Sequence, residues 1–217
     1  MTKPLRLGIA GLGTVGVGVI KIIQEKLSTL EARTGKKIII SAVTARSKTK
    51  QRGINLTPYQ WEKDPVSLAK RDDVDIFIEL IGGHDGVAKE AVEVAIRQGK
   101  DVVTANKALL AHHGHQLALK AEENGSILRF EAAVGAGIPL LEVLIDMLEQ
   151  NSISKITGII NGTSNYILSS MHNSSKTFSE SLKEAQDLGY AESDPTNDVG
   201  GFDAKFKINI LGSIAFG

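Results

Sequence analysis

Near the amino terminus, a glycine-rich string has the spacing of a phosphate-binding loop. Residues 11–16 read GLGTVG, directly after an apolar stretch typical of a buried strand and before a segment with helical periodicity. In such a turn Gly11 permits the bend, Gly13 lets a pyrophosphate approach the backbone, and Gly16 lets the helix pack closely. The N–H groups of the first helical turn would bind the phosphates. A purely structural turn is the alternative, but the strand–helix–strand context favours dinucleotide binding.

The end of the second predicted strand indicates which dinucleotide would bind. NAD-specific sites place a carboxylate there, hydrogen-bonded to the ribose. Here the stretch is VTARSK, residues 43–48, and the next carboxylate along the chain is Glu62. Arg46 and Lys48 would instead meet a 2′-phosphate, which arginine can bind through two parallel hydrogen bonds. The sequence therefore favours NADP(H) over NAD(H), with a solvated basic turn as the alternative.

A lysine follows another predicted strand, at the edge where ligands of open α/β sheets bind. Residues 104–107 read TANK and come at the end of the predicted strand 101–105. Lys107 would there face the nicotinamide end of a bound cofactor. A surface lysine at the start of a helix is the alternative that these residues leave open.

Carboxylates and lysines also lie together near the carboxyl end of the chain. The residues are Glu192, Asp194, Asp198, Asp203, Lys205 and Lys207. Asp203 and Lys207 are four residues apart, so a helix would place them on one face. Such a pair could bind a substrate ammonium group and supply a proton, whereas Lys205 would face elsewhere. The alternative is a solvated acidic loop that caps a helix.

The elements that must position these residues alternate between strand and helix. Strands are predicted at 5–10, 37–45, 74–81, 101–105, 127–131 and 153–160. Helices are predicted at 14–32, 65–70, 86–98, 109–124, 138–150, 165–172, 178–188 and from 202 onward. This order predicts an α/β fold, a Rossmann-type doubly wound parallel sheet covered by helices on both faces. We expect a nucleotide-binding domain over 1–135 and part of an α+β substrate and dimerisation domain over 136–217.

Composition excludes several classes of protein. The 217 residues carry 25 Lys and Arg and 25 Asp and Glu, so a nucleic-acid partner is not expected. No apolar run reaches membrane-spanning length and no signal peptide is apparent, which indicates a cytoplasmic chain without a membrane partner. The absence of cysteine excludes disulfides and a cysteine nucleophile. The histidine run HHGH, residues 112–115, lies at a predicted helix start with no nearby carboxylate partner expected, so no metal site is expected there.

Several longer strings resemble one known family. They are GLGTVG at 11–16, TANK at 104–107, EAAVGAGIPL at 131–140, NGTSNYI at 161–167 and GYAESDPTNDVGGFDAKFK at 189–207. With these strings, which span nearly all of the chain, the sequence resembles the homoserine dehydrogenases. The resemblance implies reduction of the small molecule L-aspartate 4-semialdehyde to L-homoserine with NADPH or NADH, in threonine, methionine and isoleucine biosynthesis. It also implies a homodimer or higher homo-oligomer.

The resemblance further implies roles for individual residues. Leu12, Thr14 and Val15 would contact the cofactor pyrophosphate, with Gly189 also at the cofactor. Lys107 and Lys207 would be the catalytic lysines, and Lys207 the proton donor. The substrate would be bound by Glu192, Asp198, Asp203, Tyr190, Gly162 and Thr163. A monovalent cation, sodium, would be bound by Glu131 and by carbonyl oxygens of Val134, Ala136 and Ile138.

The length of the chain is a departure from the family. Homoserine dehydrogenases continue well beyond this length, so we expect the chain to be the amino-terminal part of a longer protein. Two other functions stay open at this point. One is a different NADPH-dependent reductase of the same architecture, and the other is a nucleotide-binding fragment without activity of its own.

Overall fold

The computed structural model describes residues 3–217 and divides the chain into two compact units, Met1–Ile138 and Pro139–Gly217. Each unit is described by itself below. Within the described range, no helix combines the length and the apolar character needed to cross a membrane.

The first unit is a parallel sheet with helical crossovers. Its strands are β1 (Leu5–Ala10), β2 (Ile38–Thr44), β3 (Gln60–Trp61), β4 (Ile76–Glu79), β5 (Asp101–Thr104) and β6 (Leu128–Arg129). Its helices are α1 (Thr14–Thr34), α2 (Pro65–Ala69), α3 (Val87–Arg97), α4 (Lys107–Glu123) and α5 (Glu131–Gly135). The strand order β3-β2-β1-β4-β5-β6 is that of dinucleotide-binding folds. The predicted Rossmann-type sheet is confirmed. All of its strands are parallel, and the order in which they are added to the sheet reverses between β1 and β4.

The sheet is buried on both faces, since other elements cover the two sides to which neighbouring side chains of each strand point. In β4, Phe77 packs with apolar residues of α2, α3 and α4, whereas the adjacent Ile78 packs with α1 and with the segment 54–61. This two-sided burial explains the nearly continuous apolar runs in the strands. It also holds the carboxyl ends of β1, β4 and β5 in fixed positions.

The second unit is helical. Its elements are α6 (Leu140–Leu148), α7 (Gly162–Ser174), α8 (Phe178–Asp187), α9 (Thr196–Val199) and α10 (Phe202–Phe216). The predicted strand 153–160 is wrong, because residues 151–160 form irregular chain. A β-branched segment forms a strand only when another strand supplies hydrogen-bond partners. Residues 139–217, all of which are described, contain no such strand.

Candidate functional site

The glycine-rich loop lies where the chain passes from β1 into α1, at the reversal point of the sheet. Gly11 has φ of +100°, and its N–H donates to Thr44 O at 2.9 Å. A Cβ atom on Gly11 would collide with the carbonyl of Leu80, and one on Gly16 would collide with the carbonyl of Gly11. The two glycines therefore let the turns after β1, β2 and β4 meet, as the string GLGTVG predicts.

The amino end of α1 has the features of a phosphate site. Its N-cap is Gly13, and no side chain of the described residues makes a capping hydrogen bond there. A Cβ atom on Gly13 would meet no other described atom within 4 Å. Thr14 and Val15 are exposed beside it, while Leu12 is buried under the turn. Residues 13–15 at the start of α1 are thus exposed, and the first N–H groups of a helix have no partner inside the helix, which suits the pyrophosphate of a dinucleotide.

The basic segment after β2 is tied to this loop by a residue that sequence analysis did not single out. Arg52 donates from Nη2 to Ser47 O at 2.6 Å and from Nε to Leu12 O at 3.1 Å. Arg46 and Lys48 are exposed on the same segment. Since Arg52 is six residues beyond Arg46 and lies outside any motif, only the three-dimensional structure reveals its role. The structure therefore places both predicted cations on a loop that is anchored to the glycine turn.

The TANK string forms a tight turn between β5 and α4. Asn106 is the N-cap of α4: its Oδ1 accepts a hydrogen bond from Leu109 N at 3.1 Å. Its Nδ2 donates to Gly83 O at 2.7 Å, which joins this turn to the loop after β4. Lys107 is the first residue of α4 and is half-buried. The structure thus places Lys107 at the carboxyl edge of the sheet, as predicted.

Beneath that turn lies a buried carboxylate that the sequence analysis missed. Glu79, at the end of β4, is 0% exposed. Its Oε1 accepts from Ile81 N at 2.7 Å and Gly82 N at 3.2 Å. Its Oε2 accepts from the hydroxyl of Thr104 at 2.5 Å, and Thr104 Oγ1 in turn accepts from Asn106 N at 3.0 Å. A signal was present, because a glutamate in the apolar strand VDIFIELI is unusual.

The histidine run does have a carboxylate partner, so that part of the sequence argument is wrong. His113 Nε2 lies 2.9 Å from Asp85 Oδ1, and His84 Nε2 lies 3.1 Å from Asp85 Oδ2. The hydrogen bond from His113 lowers the pKa of the Asp85 carboxyl. The partner was missed because it lies 28 residues away, in the loop after β4. Within residues 3–217, no group of three metal-ligating side chains has the arrangement of a metal site.

In the second unit, Asn161 joins the carboxylates of two segments. Its Oδ1 caps α7 by accepting from Ser164 N at 2.7 Å. Its Nδ2 donates to Asp198 Oδ1 at 2.8 Å and to Asp203 Oδ2 at 3.0 Å. The sequence analysis did not select Asn161, although asparagine before a helix is a common N-cap and the NGTSN string contains it. Asn161 thereby brings two of the predicted substrate residues together.

Lys207 is held at the centre of this cluster. Its Nζ donates to Ile160 O at 2.9 Å and lies 2.9 Å from Asp203 Oδ2. Only 17% of the Lys207 side chain and 8% of the Asp203 side chain are exposed. The pair spans one turn of α10, as its spacing predicts, whereas Lys205 is exposed. The arrangement is an ammonium group in a fixed position, which suits a proton donor.

The other predicted substrate residues, and the predicted cofactor residue Gly189, are spread along the second unit. Thr163 Oγ1 donates to Tyr190 O at 2.6 Å and lies 3.3 Å from Asp198 Oδ2, so it belongs to the cluster. Tyr190 is exposed, with its ring 4.9 Å from that of Tyr166. Gly162 begins α7, Gly189 follows α8 with φ of +78°, and Glu192 is exposed in the turn before α9. Within residues 3–217, the hydrogen-bond and ion-pair partners of Lys207 are Ile160 and Asp203, and none of these last three residues is among them.

The predicted cation ligands lie on one short stretch of the first unit. Glu131 begins α5 and is half-buried, and Val134 is buried in the same helix. Ala136 and Ile138 follow the helix and are exposed, and Ile138 N donates to Gly135 O at 2.7 Å. Carbonyl groups at the end of a helix carry negative partial charge. The predicted ligands, one carboxylate and three backbone carbonyl groups, are all oxygen donors, which fits a hard cation.

Known proteins resemble this chain in both units. Residues 11–131 match the family described as "Homoserine dehydrogenase, NAD binding domain", and residues 139–217 match "Homoserine dehydrogenase". The homoserine dehydrogenase of Neisseria gonorrhoeae is 48% identical over 215 residues, which are 99% of this chain and 49% of that protein. The chain thus spans about half the length of the curated relatives it matches.

Solved structures agree with these matches. The crystal structure of a homoserine dehydrogenase from Thiobacillus denitrificans has a TM-score of 0.90 at 42% identity, over 99% of this chain and 49% of that one. A hyperthermophilic archaeal homoserine dehydrogenase in complex with NADPH has a TM-score of 0.84 at 28% identity, over 99% and 70% of the two chains. The chain therefore belongs to the homoserine dehydrogenase family.

Proposed function

We propose that the full-length protein reduces L-aspartate 4-semialdehyde to L-homoserine with NADPH, on the route to threonine, methionine and isoleucine. The observation that carries the proposal is the mostly buried ammonium group of Lys207, bound to Asp203 and to Ile160 O. A positive charge fixed in this way suits the oxygen of an aldehyde, on which negative charge develops during reduction. The relatives named homoserine dehydrogenase support this choice of reaction.

Lys207 acts in this proposal as the general acid. Two of its three N–H groups point to Ile160 O and Asp203, which leaves the third to donate to the carbonyl oxygen of the substrate. That hydrogen bond polarises the carbonyl group. When the carbonyl carbon accepts a hydride, the π electron pair moves to oxygen, which takes the proton of Nζ. The product is an alcohol, and the neutral Lys207 amine regains its proton from water.

The substrate is held in this proposal by the acidic residues around Lys207. The carboxylates of Glu192 and Asp198 bind the amino group of the semialdehyde, and Asp203 keeps Lys207 in place. Gly162, Thr163 and Tyr190 form the remaining contacts. Asn161 supports this arrangement, because it orients Asp198 and Asp203 through one amide group.

The cofactor is held by the first unit. NADPH, when bound, supplies the hydride. Gly11, Gly13 and Gly16 shape the turn, and backbone groups of Leu12, Thr14 and Val15 bind the pyrophosphate. Arg46 and Lys48 bind the 2′-phosphate. Lys107 contacts the nicotinamide end and acts as the second catalytic lysine. Gly189 is also assigned to cofactor binding. The NADPH in the archaeal relative supports this choice of cofactor.

The preference for NADPH is tested by replacing Arg46 with alanine. Loss of a hydrogen bond to a charged group weakens binding by about tenfold or more, so the dissociation constant of NADPH should rise by that factor. The dissociation constant of NADH should stay within about twofold, since NADH lacks the 2′-phosphate. Fluorescence titration of the full-length protein measures both. Arg97→Ala, on the exposed side of α3, is the control, and equal losses for the two cofactors would refute the 2′-phosphate site.

We also propose domain boundaries, an oligomeric state, a cation site and a location for this protein. We assign NAD(P) binding to residues 1–135 and part of the catalytic domain to 136–217. Homodimerisation, or a higher homo-oligomer, is supported by the exposed apolar side chains of the second unit, among them Val143, Met147 and Phe202. A sodium ion at Glu131, Val134, Ala136 and Ile138 is supported by the oxygen donor set. A cytoplasmic location completes the proposal.

A substrate panel tests the activity itself. NADPH oxidation by the full-length protein is followed with L-aspartate 4-semialdehyde, with succinic semialdehyde, which lacks the amino group, and with simple aliphatic aldehydes. We expect turnover with the first substrate and little with the others. Faster turnover of an aldehyde without the amino group would favour a different NADPH-dependent reductase. The absence of turnover with intact NADPH binding would favour a nucleotide-binding protein.

A further inference from the structure

We infer that Glu79 is the residue that positions Lys107, through Thr104 and Asn106, and this inference rests on the proposed function. The four residues lie on consecutive parts of the sheet edge. Glu79 ends β4, Thr104 ends β5 beside it in register, and Asn106 precedes Lys107 at the start of α4. Glu79 therefore acts on a catalytic residue without itself reaching the substrate.

The direction of each hydrogen bond is determined by the groups involved. A carboxylate only accepts, so the hydroxyl of Thr104 must donate its single hydrogen to Glu79 Oε2. The Thr104 oxygen is then left as an acceptor, and it accepts from Asn106 N. Both hydrogen bonds therefore run in the same direction, from Asn106 to Thr104 and from Thr104 to Glu79. The buried carboxylate orients the Thr104 hydroxyl, which in turn orients the Asn106 backbone.

Asn106 passes this constraint to Lys107 in two ways. Its side chain caps α4 at Leu109 N, which fixes the first turn of the helix that Lys107 begins. Its amide group also binds Gly83 O in the loop after β4. The two residues before Gly83 in that loop are held by Glu79, which accepts from Ile81 N and Gly82 N. These hydrogen bonds join Glu79, Thr104, Asn106 and the loop after β4 in a closed ring. Lys107 is the residue after Asn106 in the chain.

Because Glu79 is fully buried in this ring, replacing one of its oxygen atoms should disturb its hydrogen bonds. Glu79 and Thr104 are 0% and 1% exposed, so water does not compensate for a lost partner. In Glu79→Gln, the amide oxygen can still accept from Ile81 N and Gly82 N, while the NH2 group faces Thr104. The Thr104 hydroxyl must then turn round, and its own hydrogen loses its acceptor. The variant therefore perturbs the hydrogen bonds through Thr104 to Asn106, and it keeps those to Ile81 N and Gly82 N.

A double-mutant cycle tests the inference in the full-length enzyme. Small displacements of a catalytic group cost about tenfold or more in rate, so Glu79→Gln should lower kcat by about that factor. In a Lys107→Ala background, Glu79→Gln should cause little further loss, since the residue that it positions is gone. The dissociation constant of NADPH should follow the same pattern, because Lys107 also contacts the cofactor.

Two further variants make the result unambiguous. Thr104→Val removes the hydroxyl that links Glu79 to Asn106 N, and it should reproduce the loss, also only when Lys107 is present. Glu93→Gln removes a carboxylate that pairs with Lys120 on the helical layer and should leave kcat unchanged. Equal losses in both Lys107 backgrounds would overturn the inference. If the wild-type enzyme does not reduce the semialdehyde, the proposed function fails, while the NADPH cycle still decides whether Glu79 positions Lys107.

Discussion

Replacing Lys207 with alanine in the full-length enzyme should lower kcat by about 10²–10⁴-fold, the usual contribution of general acid catalysis. The dissociation constant of NADPH should change by less than about twofold, since the cofactor phosphates bind to the first unit in our proposal. Stopped-flow measurement of NADPH oxidation gives the rate, and fluorescence titration gives the affinity. The physical reason is that removing Nζ leaves the developing oxyanion without its fixed positive charge.

Lys205→Ala is the matched control for this experiment. Lys205 lies on the same helix, is exposed, and carries the same charge. Its replacement should leave kcat unchanged. This result would show that a loss in Lys207→Ala comes from the position of Lys207 and not from the lower net charge of α10. A Lys207→Ala enzyme that keeps most of its turnover would remove this lysine from the mechanism, and the assignment of the acid would then pass to Lys107.

Replacing Gly16 with alanine should abolish measurable NADPH binding and destabilise the first unit. The added Cβ would collide with the carbonyl of Gly11, which is backbone and cannot rotate away. Relief requires α1 to move from β1, and overpacking of this kind costs about 1–3 kcal/mol or more of unfolding free energy. The same movement displaces the N–H groups that bind the pyrophosphate. Urea denaturation and NADPH titration measure the two effects.

Gly18→Ala is the control on the same helix. Beyond its chain neighbours and the nearby backbone of α1, a Cβ on Gly18 would meet no described atom within 4 Å. Alanine is favoured over glycine inside a helix by about 1 kcal/mol, so this variant should be as stable as the wild type or more stable. NADPH affinity that survives in Gly16→Ala would show that the dinucleotide binds away from the turn after β1.

The first unit could be predicted well because its signals are local in the sequence. The turn GLGTVG, the apolar strands and the periodic helices each lie within a few residues, and their order determines a parallel sheet. The exceptions were short: β3 and α5 contain two and five residues. The contacts of Arg52 and Glu79 were missed for a different reason. They bridge separate strand ends, and their pairing depends on strand order and register.

Less of the second unit could be predicted from the sequence. Asp203 and Lys207 were predicted because one helical turn joins them, and α10 contains both. Asn161 was missed because its partners lie 37 and 42 residues away, in segments brought close only by packing. The segment 153–160 failed for a third reason. Its composition favours a strand, but strand formation also depends on a neighbour that residues 139–217 do not provide.

The short outer strands of the sheet affect how the protein avoids misassembly. β3 and β6, at the two edges, contain two residues each, Gln60–Trp61 and Leu128–Arg129. A long exposed edge can recruit strands from other chains and start aggregation, and natural proteins often prevent this by shortening the edge. The nucleotide-binding sheet should therefore resist amyloid-like stacking even at the high chain concentrations reached during synthesis. In our proposal, self-association instead uses the helical unit, where Val143, Met147 and Phe202 are exposed.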